Sequence, residues 1–250
     1  MIQVIQRAFT LLFAIAEEPQ KVHGISELAE LIHVQPSTCF HIVNSMLELG
    51  VVERVGKRKG YRLGPAVMKI CRNNLYRPEL VWKADPLFRA FAAEYRVKIE
   101  LIVLQGKRRY ILCHAEPEHT LRVDYNPLSC EDVLVTPSGK LLLAHAPEEV
   151  QKELYNQLQG TELPQNAKDL WPEHLTLETY LQELKEFRKN HVFIREKGGQ
   201  VVVLFPLYGK DSSVIAAIAS IIPAYLFKNP FQDQVVRATY QISSALSGIF

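Results

Sequence analysis

Two apolar stripes run side by side along the start of the chain. Val4, Ala8, Leu11, Leu12 and Ile15 recur at helical spacing, and Ile5, Phe9, Phe13 and Ala16 form a second row beside them. The combined face is wider than one small domain needs to cover its own core, so part of it is expected to be a dimer surface. Ser26 is placed to cap a short helix running through Ile32, with Leu28, Ala29 and Ile32 turned inward. The next helix opens at Ser37 or at Gln35-Pro36, since proline is tolerated in a first turn. Its apolar positions are Cys39, Ile42, Val43, Met46, Leu47 and Leu49, and Gly50 stands where a helix stops. Val51 to Val55 is rich in β-branched residues, Gly56 to Gly60 has turn composition, and Tyr61-Arg62-Leu63 pairs back as a second strand.

Beyond Gly64-Pro65 a helical pattern (Val67, Met68, Cys71, Leu75) leads away, Arg77-Pro78 marks a boundary, and Pro86 is expected to start the next helix. Val97, Ile99, Leu101 and Val103 then alternate with Lys98 and Glu100, which predicts a strand with one apolar and one polar face. Tyr110 to His114 and Leu121 to Tyr125 extend this into a meander. Helical patterns follow at Ser138 to Ala144, Glu148 to Leu158 and Leu177 to Phe187. Two strongly apolar strands, Val201 to Phe205 and Val214 to Ile222, and a final helix around Val235, Tyr240, Ile242, Leu246 and Ile249 complete the chain. Strands before and after a helical middle predict an α+β domain, an antiparallel sheet with helices on its faces.

Composition adds two restrictions. The chain has 250 residues with 48% apolar content, enough for two domains with packed cores. Cys39, Cys71, Cys113 and Cys130 contain no Cys-x-x-Cys pair and no histidine at metal-ligand spacing, so they read as free thiols in a reducing cytosol, with no metal or cofactor expected. The first residues do not form a secretory leader, and the longest apolar stretch, Val214 to Ile222, is too short to span a bilayer. A cytoplasmic protein with no membrane partner is expected.

Charge is more informative for its placement than for its total. From His33 to Arg77, eight basic residues face Glu48 and Glu53, a net of +6 in a chain whose total is only +2. Within that stretch the helix from Gln35 to Glu48 holds no lysine or arginine, whereas Lys57, Arg58 and Lys59 crowd the following turn. Three helices and a basic-tipped hairpin are the outline of a winged helix-turn-helix. A helix that reads base edges in the major groove is served by small polar side chains that approach closely. Ser37, Thr38, His41, Asn44 and Ser45, with Gln35 at the start, lie off the apolar stripe and form such a face. Attraction to phosphate is then left to Lys57, Arg58, Lys59 and Arg62. Phosphate contacts position and base contacts specify, and the two elements divide those tasks.

The stretches "VIQRAFTLLFAI", "GISELAELIHVQPST", "LELGVVER" and "GYRLGPAV" resemble the N-terminal domain of the IclR (isocitrate lyase regulator) family of bacterial transcription regulators. The likeness continues more weakly through "TPSGKLLLAHAPEE", "LQELKEFRKNHVF" and "PLYGKDSSVIAAIA". It implies a winged helix-turn-helix domain at 1–64, a linker helix at 65–79 and a GAF-like antiparallel-sheet effector-binding domain at 80–250. It further implies double-stranded operator DNA and a small-molecule effector as partners, repression or activation as the output, and homodimers through the DNA-binding domains, often paired into homotetramers.

The chain also departs from the family. Many members carry arginine at the place of His41, so a permanent charge and a fork of five donors are missing there. The family's effector pocket holds small organic carboxylates through an acidic residue, a cysteine and serines. The alignment puts Ile194, Val202, Ala219 and Ile221 at those places, and an alternative register offers Arg195 or Glu196 as the charged residue and Ser220 as the serine. Fewer polar groups imply a more apolar ligand, a ligand read by the loop of Thr136, Pro137, Ser138 and Gly139, or no ligand. Ser138 is placed to cap the helix it opens, whose N–H groups would favour an anion.

The sequence admits two other readings. An enzymatic one would use Ser138 as nucleophile, Lys140 as base and His114 in support, but the chain lacks a Gly-x-Ser-x-Gly elbow and His114 has no evident acid partner. A sensor with a vestigial DNA domain is suggested by His41 and opposed by the basic turn.

Overall fold

The computed structural model describes residues 2–56, 60–71, 77–117, 133–158, 170–171 and 176–249. They fall into two compact units, Met1–Leu75 and Tyr76–Phe250.

The first unit contains helices α1 (Gln3–Glu17), α2 (Ile25–Leu31) and α3 (Pro36–Glu48), strands β1 (Val52–Arg54) and β2 (Tyr61–Leu63), and the short helix α4 (Val67–Cys71). The core takes the first stripe of α1 from Ala8 onward, and the second stripe and Val4 stay outside it. Leu11 and Ile15 pack with Leu28, Ala29, Ile32, Cys39, Ile42, Val43, Met46, Val52 and Tyr61, whereas Val4, Ile5, Phe9 and Phe13 stay more than half exposed. Helix α2 is capped by Gly24 rather than by Ser26, which lies inside the first turn. Glu27 reaches back to the Gly24 N–H at 3.4 Å and also takes Lys21 at 2.8 Å, which is the carboxylate half of a capping box whose glycine has no side chain to return the bond. Helix α3 begins at Gln35-Pro36, with proline in the first turn.

At the other end of α3, Gly50 has φ of +70°, its N–H donates to Leu47 O at 2.9 Å, and the Val51 N–H donates to Met46 O at 3.1 Å. That is a Schellman stop, and it turns the chain straight into the hairpin. Leu49, expected inside, is instead 72% exposed, because the helix has ended before its side chain can reach the core. The hairpin is antiparallel with Glu53 opposite Arg62, and His23 adds a bridge on the far side of Tyr61.

In the second unit, α5 (Pro78–Tyr95) starts eight residues before the expected position and carries Pro86 in its interior. The described linker helix is therefore only Val67–Cys71, and residues 72–76 lie outside the description. Strands β3 (Lys98–Gln105), β4 (Arg108–Ala115), β5 (Phe193–Lys197), β6 (Gln200–Tyr208) and β7 (Val214–Pro223) form one antiparallel sheet among the described residues, in the order β4-β3-β7-β6-β5. The expected third meander strand at 121–125 lies outside the described residues.

Helices cover both faces of this sheet. Ile99, Leu101, Val103, Val201, Val203 and Ile218 pack on α5 and on α9 (Phe231–Leu246). Ile102, Leu204, Ala217 and Ala219 pack on the side of α6 (Pro137–Ala144), α7 (Glu148–Leu158) and α8 (Leu177–Arg188). The β3 face read as polar is thus covered too. Glu100 is 3% exposed, and Lys98 Nζ lies 2.7 Å from its Oε1. The sequence pattern predicts no strand at 193–197, because a charged edge strand has no apolar alternation to announce it.

Candidate functional site

Helix α3 separates its residues cleanly. Cys39, Ile42, Val43 and Met46 are buried, which turns Gln35, Ser37, Thr38, His41 and Ser45 to solvent, with Asn44 half-buried beside them. Ser45 Oγ donates to His41 O at 3.3 Å, while the other hydroxyls face outward. The helix and its row of small polar groups thus stand on a packed base with the strands of a wing behind them. Of the wing residues, Arg62 is described: its Nε donates to Glu53 Oε1 at 2.6 Å across the hairpin, and both side chains remain over one-third exposed. This pairing shares the Arg62 charge with a carboxylate. Lys57, Arg58 and Lys59 lie outside the described residues. One exposed member of α3 was not foreseen: Phe40, 40% exposed, with its ring edge-on to His41. No polar pattern points to a phenylalanine, so only the three-dimensional arrangement brings it to this surface.

In the second unit the strand register decides which residues share a face. Arg195, Val202, Ile221 and Lys98 form one row across β5, β6, β7 and β3, and Phe193, Leu204, Ala219 and Glu100 form the next. Val202, Ala219 and Ile221 therefore lie together on the α6–α8 side. Ile194 does not join them: it pairs with Val203 on the α5–α9 side and is 43% exposed, so the residue that β5 offers to the site is Arg195. Ser220 also points away, its Oγ 2.7 Å from Thr239 Oγ1 of α9. A one-residue shift in a strand reverses the face of every side chain, so the pairing of β5 with β6 decides between Ile194 and Arg195.

The loop entering α6 is built around its cap. Thr136, not Ser138, is the N-cap, accepting from the Gly139 N–H at 3.2 Å, with Pro137 in the first turn and Ser138 buried behind it. Ser138, the second residue of the helix, cannot take the Gly139 N–H that the Thr136 cap already meets. A Cβ on Gly139 would lie 2.1 Å from Val133 O, so glycine is required where the loop backbone crosses the helix.

One turn further, Lys140 is 4% exposed. Its Nζ donates to Leu170 O and to Glu183 Oε1, each at 2.5 Å, and sits 4.7 Å from the Trp171 ring and 4.9 Å from the Phe187 ring. Burial lowers the Lys140 pKa; Glu183 opposes that shift and the Arg195 charge adds to it. Beside this group lies a cavity of about 440 Å³, lined by Pro137, Lys140, Trp171, Phe187, Phe193 and Arg195 among others. Its wall thus combines aromatic rings with two cations, Lys140 and Arg195, and two carboxylates, Glu183 and Glu186, and Val202, Ala219 and Ile221 are not among its lining residues. Tyr180 is fully buried against Trp171, and its hydroxyl finds no hydrogen-bond partner among the described residues.

The arrangement does not favour the catalytic reading. Lys140 is committed to Glu183 and Leu170, while His114 is exposed on β4. The two thiols described, Cys39 and Cys113, are free, and burial pushes Cys113 up to about 12, far from thiolate reactivity at neutral pH. No helix among the described residues is long and apolar enough to cross a membrane.

Residues 4–56 match the IclR helix-turn-helix domain. The HTH-type transcriptional regulator TtgV of Pseudomonas putida is 34% identical over 151 residues, covering 59% of this chain and 56% of that protein, so the chain spans little more than half the length of that relative. Among solved structures, an IclR transcriptional regulator from Alicyclobacillus acidocaldarius superposes with a TM-score of 0.76 at 17% identity, covering 99% of this chain and 98% of that one. An IclR homologue from Microbacterium hydrocarbonoxydans complexed with 4-hydroxybenzoate gives 0.69 at 19% identity, covering 96% and 98%. At such identities these two likenesses establish the fold alone.

Proposed function

We propose that the chain is an IclR-family transcriptional regulator, a reading supported by the match of residues 4–56 and by the likeness to TtgV, and that it binds double-stranded operator DNA and answers to a small-molecule effector. The observation that carries the DNA half is the division of α3 into a buried apolar stripe and an exposed row of Ser37, Thr38, His41 and Ser45 next to a two-stranded hairpin. The half-exposed face of α1, with Val4, Ile5, Phe9 and Phe13, supports pairing of two chains, as a dimer needs one apolar surface that a single copy leaves uncovered.

Binding of the full chain to a random duplex and to its own upstream DNA, across a range of salt concentrations, tests this reading. The variant Lys57→Ala/Arg58→Ala is expected to weaken binding to every sequence and to flatten the dependence on salt by about one unit per lost phosphate contact. An unchanged slope would remove the basic turn from the interface. Absence of salt-dependent binding in the wild type would remove the DNA function itself.

For the effector we propose an organic acid with an apolar body. Arg195 supplies positive charge at the cavity, where Lys140 is already paired with Glu183, and Trp171, Phe187 and Phe193 supply flat apolar surface. The complex of the Microbacterium homologue with 4-hydroxybenzoate agrees with this class of ligand, although that molecule is bound by that protein. Calorimetric titration with benzoate-type acids and with glyoxylate or pyruvate separates the cases. Aromatic acids are expected to bind and Arg195→Ala to weaken them, because a carboxylate left without a cation is costly to bury. Tight binding of a two- or three-carbon acid would contradict the assignment.

A further inference from the structure

Helix α3 presents one apolar side chain among its small polar ones. Phe40 is 40% exposed although its neighbours Cys39 and Ile42 are buried, so its ring lies outside the stripe that anchors the helix. Residues three and four apart are neighbours on a helix surface, which places Phe40 beside Ser37 on one side and Asn44 on the other. Its ring also stands edge-on to the His41 imidazole, with centroids 6.3 Å apart at 67°. A single exposed apolar residue is ordinary on a protein surface. This one sits within the cluster of groups able to meet base edges.

The chemistry of the major groove restricts what a phenyl ring can recognise there. Base edges present hydrogen-bond donors and acceptors at every pair, and the apolar feature among them is the C5 methyl of thymine. A phenyl ring has no group to satisfy the polar positions, so opposite them it would only displace water. Opposite a methyl it gains apolar contact and loses little. We propose that Phe40 reads thymine through that methyl, at a position next to the bases met by Asn44 and His41. The proposal rests on the DNA-binding reading given above.

The test uses the full chain. Its preferred duplex is enriched from a randomised pool, and each thymine in the protected region is then replaced singly by deoxyuridine, which keeps base pairing and removes only the methyl. At one thymine in each half-site the wild type is expected to lose about fourfold in affinity, the equivalent of one CH₂-sized group withdrawn from apolar contact. Phe40→Ala should bind the thymine and uracil duplexes alike, and Phe40→Leu should keep part of the preference. Helix content by circular dichroism, and affinity for random DNA at low salt, are expected to stay at the wild-type level. If Phe40→Ala does not fold, the ratio measured with Phe40→Leu decides.

A wild type indifferent to every uracil replacement would overturn the proposal, as would a Phe40→Ala variant that retains the full thymine preference. An enriched site with no thymine in the protected region would overturn it as well. Failure of the wild type to enrich any sequence would instead strike the DNA-binding reading, and this assignment with it.

Discussion

Glu183→Gln is expected to lower the unfolding free energy by about 2 kcal/mol at neutral pH, and stability should then climb as the pH is raised. The buried ammonium of Lys140 has Glu183 as its carboxylate partner, and losing one member of such a pair strands the other charge. The usual range of about 3–5 kcal/mol for that loss is reduced here because the Glu183 side chain is 38% exposed and water screens part of its charge. The direction with pH follows from the depressed pKa of Lys140. A lysine that holds its proton less well in the folded state than in the unfolded one penalises folding below its folded pKa. The penalty is relieved as pH rises from that value toward 10.5, the value for the free side chain, since the unfolded chain then binds more protons. Without Glu183 the folded pKa falls further and the window widens downward. Urea unfolding at a series of pH values measures this. Lys140→Met/Glu183→Gln, which leaves no charge stranded, should recover part of the loss and lack the alkaline rise. Equal stability of Glu183→Gln and wild type throughout would mean that the pair is not what holds α6 to α8.

The second large effect is expected on DNA. His41→Ala and Asn44→Ala should each relax preference at particular operator positions, by roughly 1–3 kcal/mol or about five- to 150-fold in discrimination. Both side chains stand on the outward side of α3, and neither position contributes to the core of its unit. Folding should therefore survive, and the change should appear as specificity rather than as stability. Competition between operator variants, scored position by position, is the measurement. Uniform weakening across all variants would recast the two residues as groups that merely orient the helix.

Local signals alone determined most of the first unit. Helical spacing of Leu11 and Ile15, the Gly50 stop and the Gly56–Gly60 turn are properties of short windows, so helices, hairpin and the polar row of α3 are legible in the sequence. The alternation of Val97 to Val103 and the runs at Val201 and Val214 likewise announced an antiparallel sheet. Capping was legible only in part. Gly24 and Thr136 took the positions expected for Ser26 and Ser138, since which polar group meets the free N–H groups depends on where the first turn begins, and that varies by a residue or two.

The cavity proposed for the effector was decided by tertiary structure. A cavity is defined by residues far apart in sequence, and no local pattern relates Lys140 to Glu183, Trp171 to Phe187, or Arg195 to any of them. The face on which Ile194 or Arg195 projects hangs on a register of one residue in a five-residue edge strand, a choice made by its pairing with β6. Burial of Glu100 on the face that looked polar, and exposure of Phe40 on the helix that looked fully assigned, have the same origin. Periodicity reports which residues lie together on one element, whereas what covers that element is set by chain segments elsewhere in the fold.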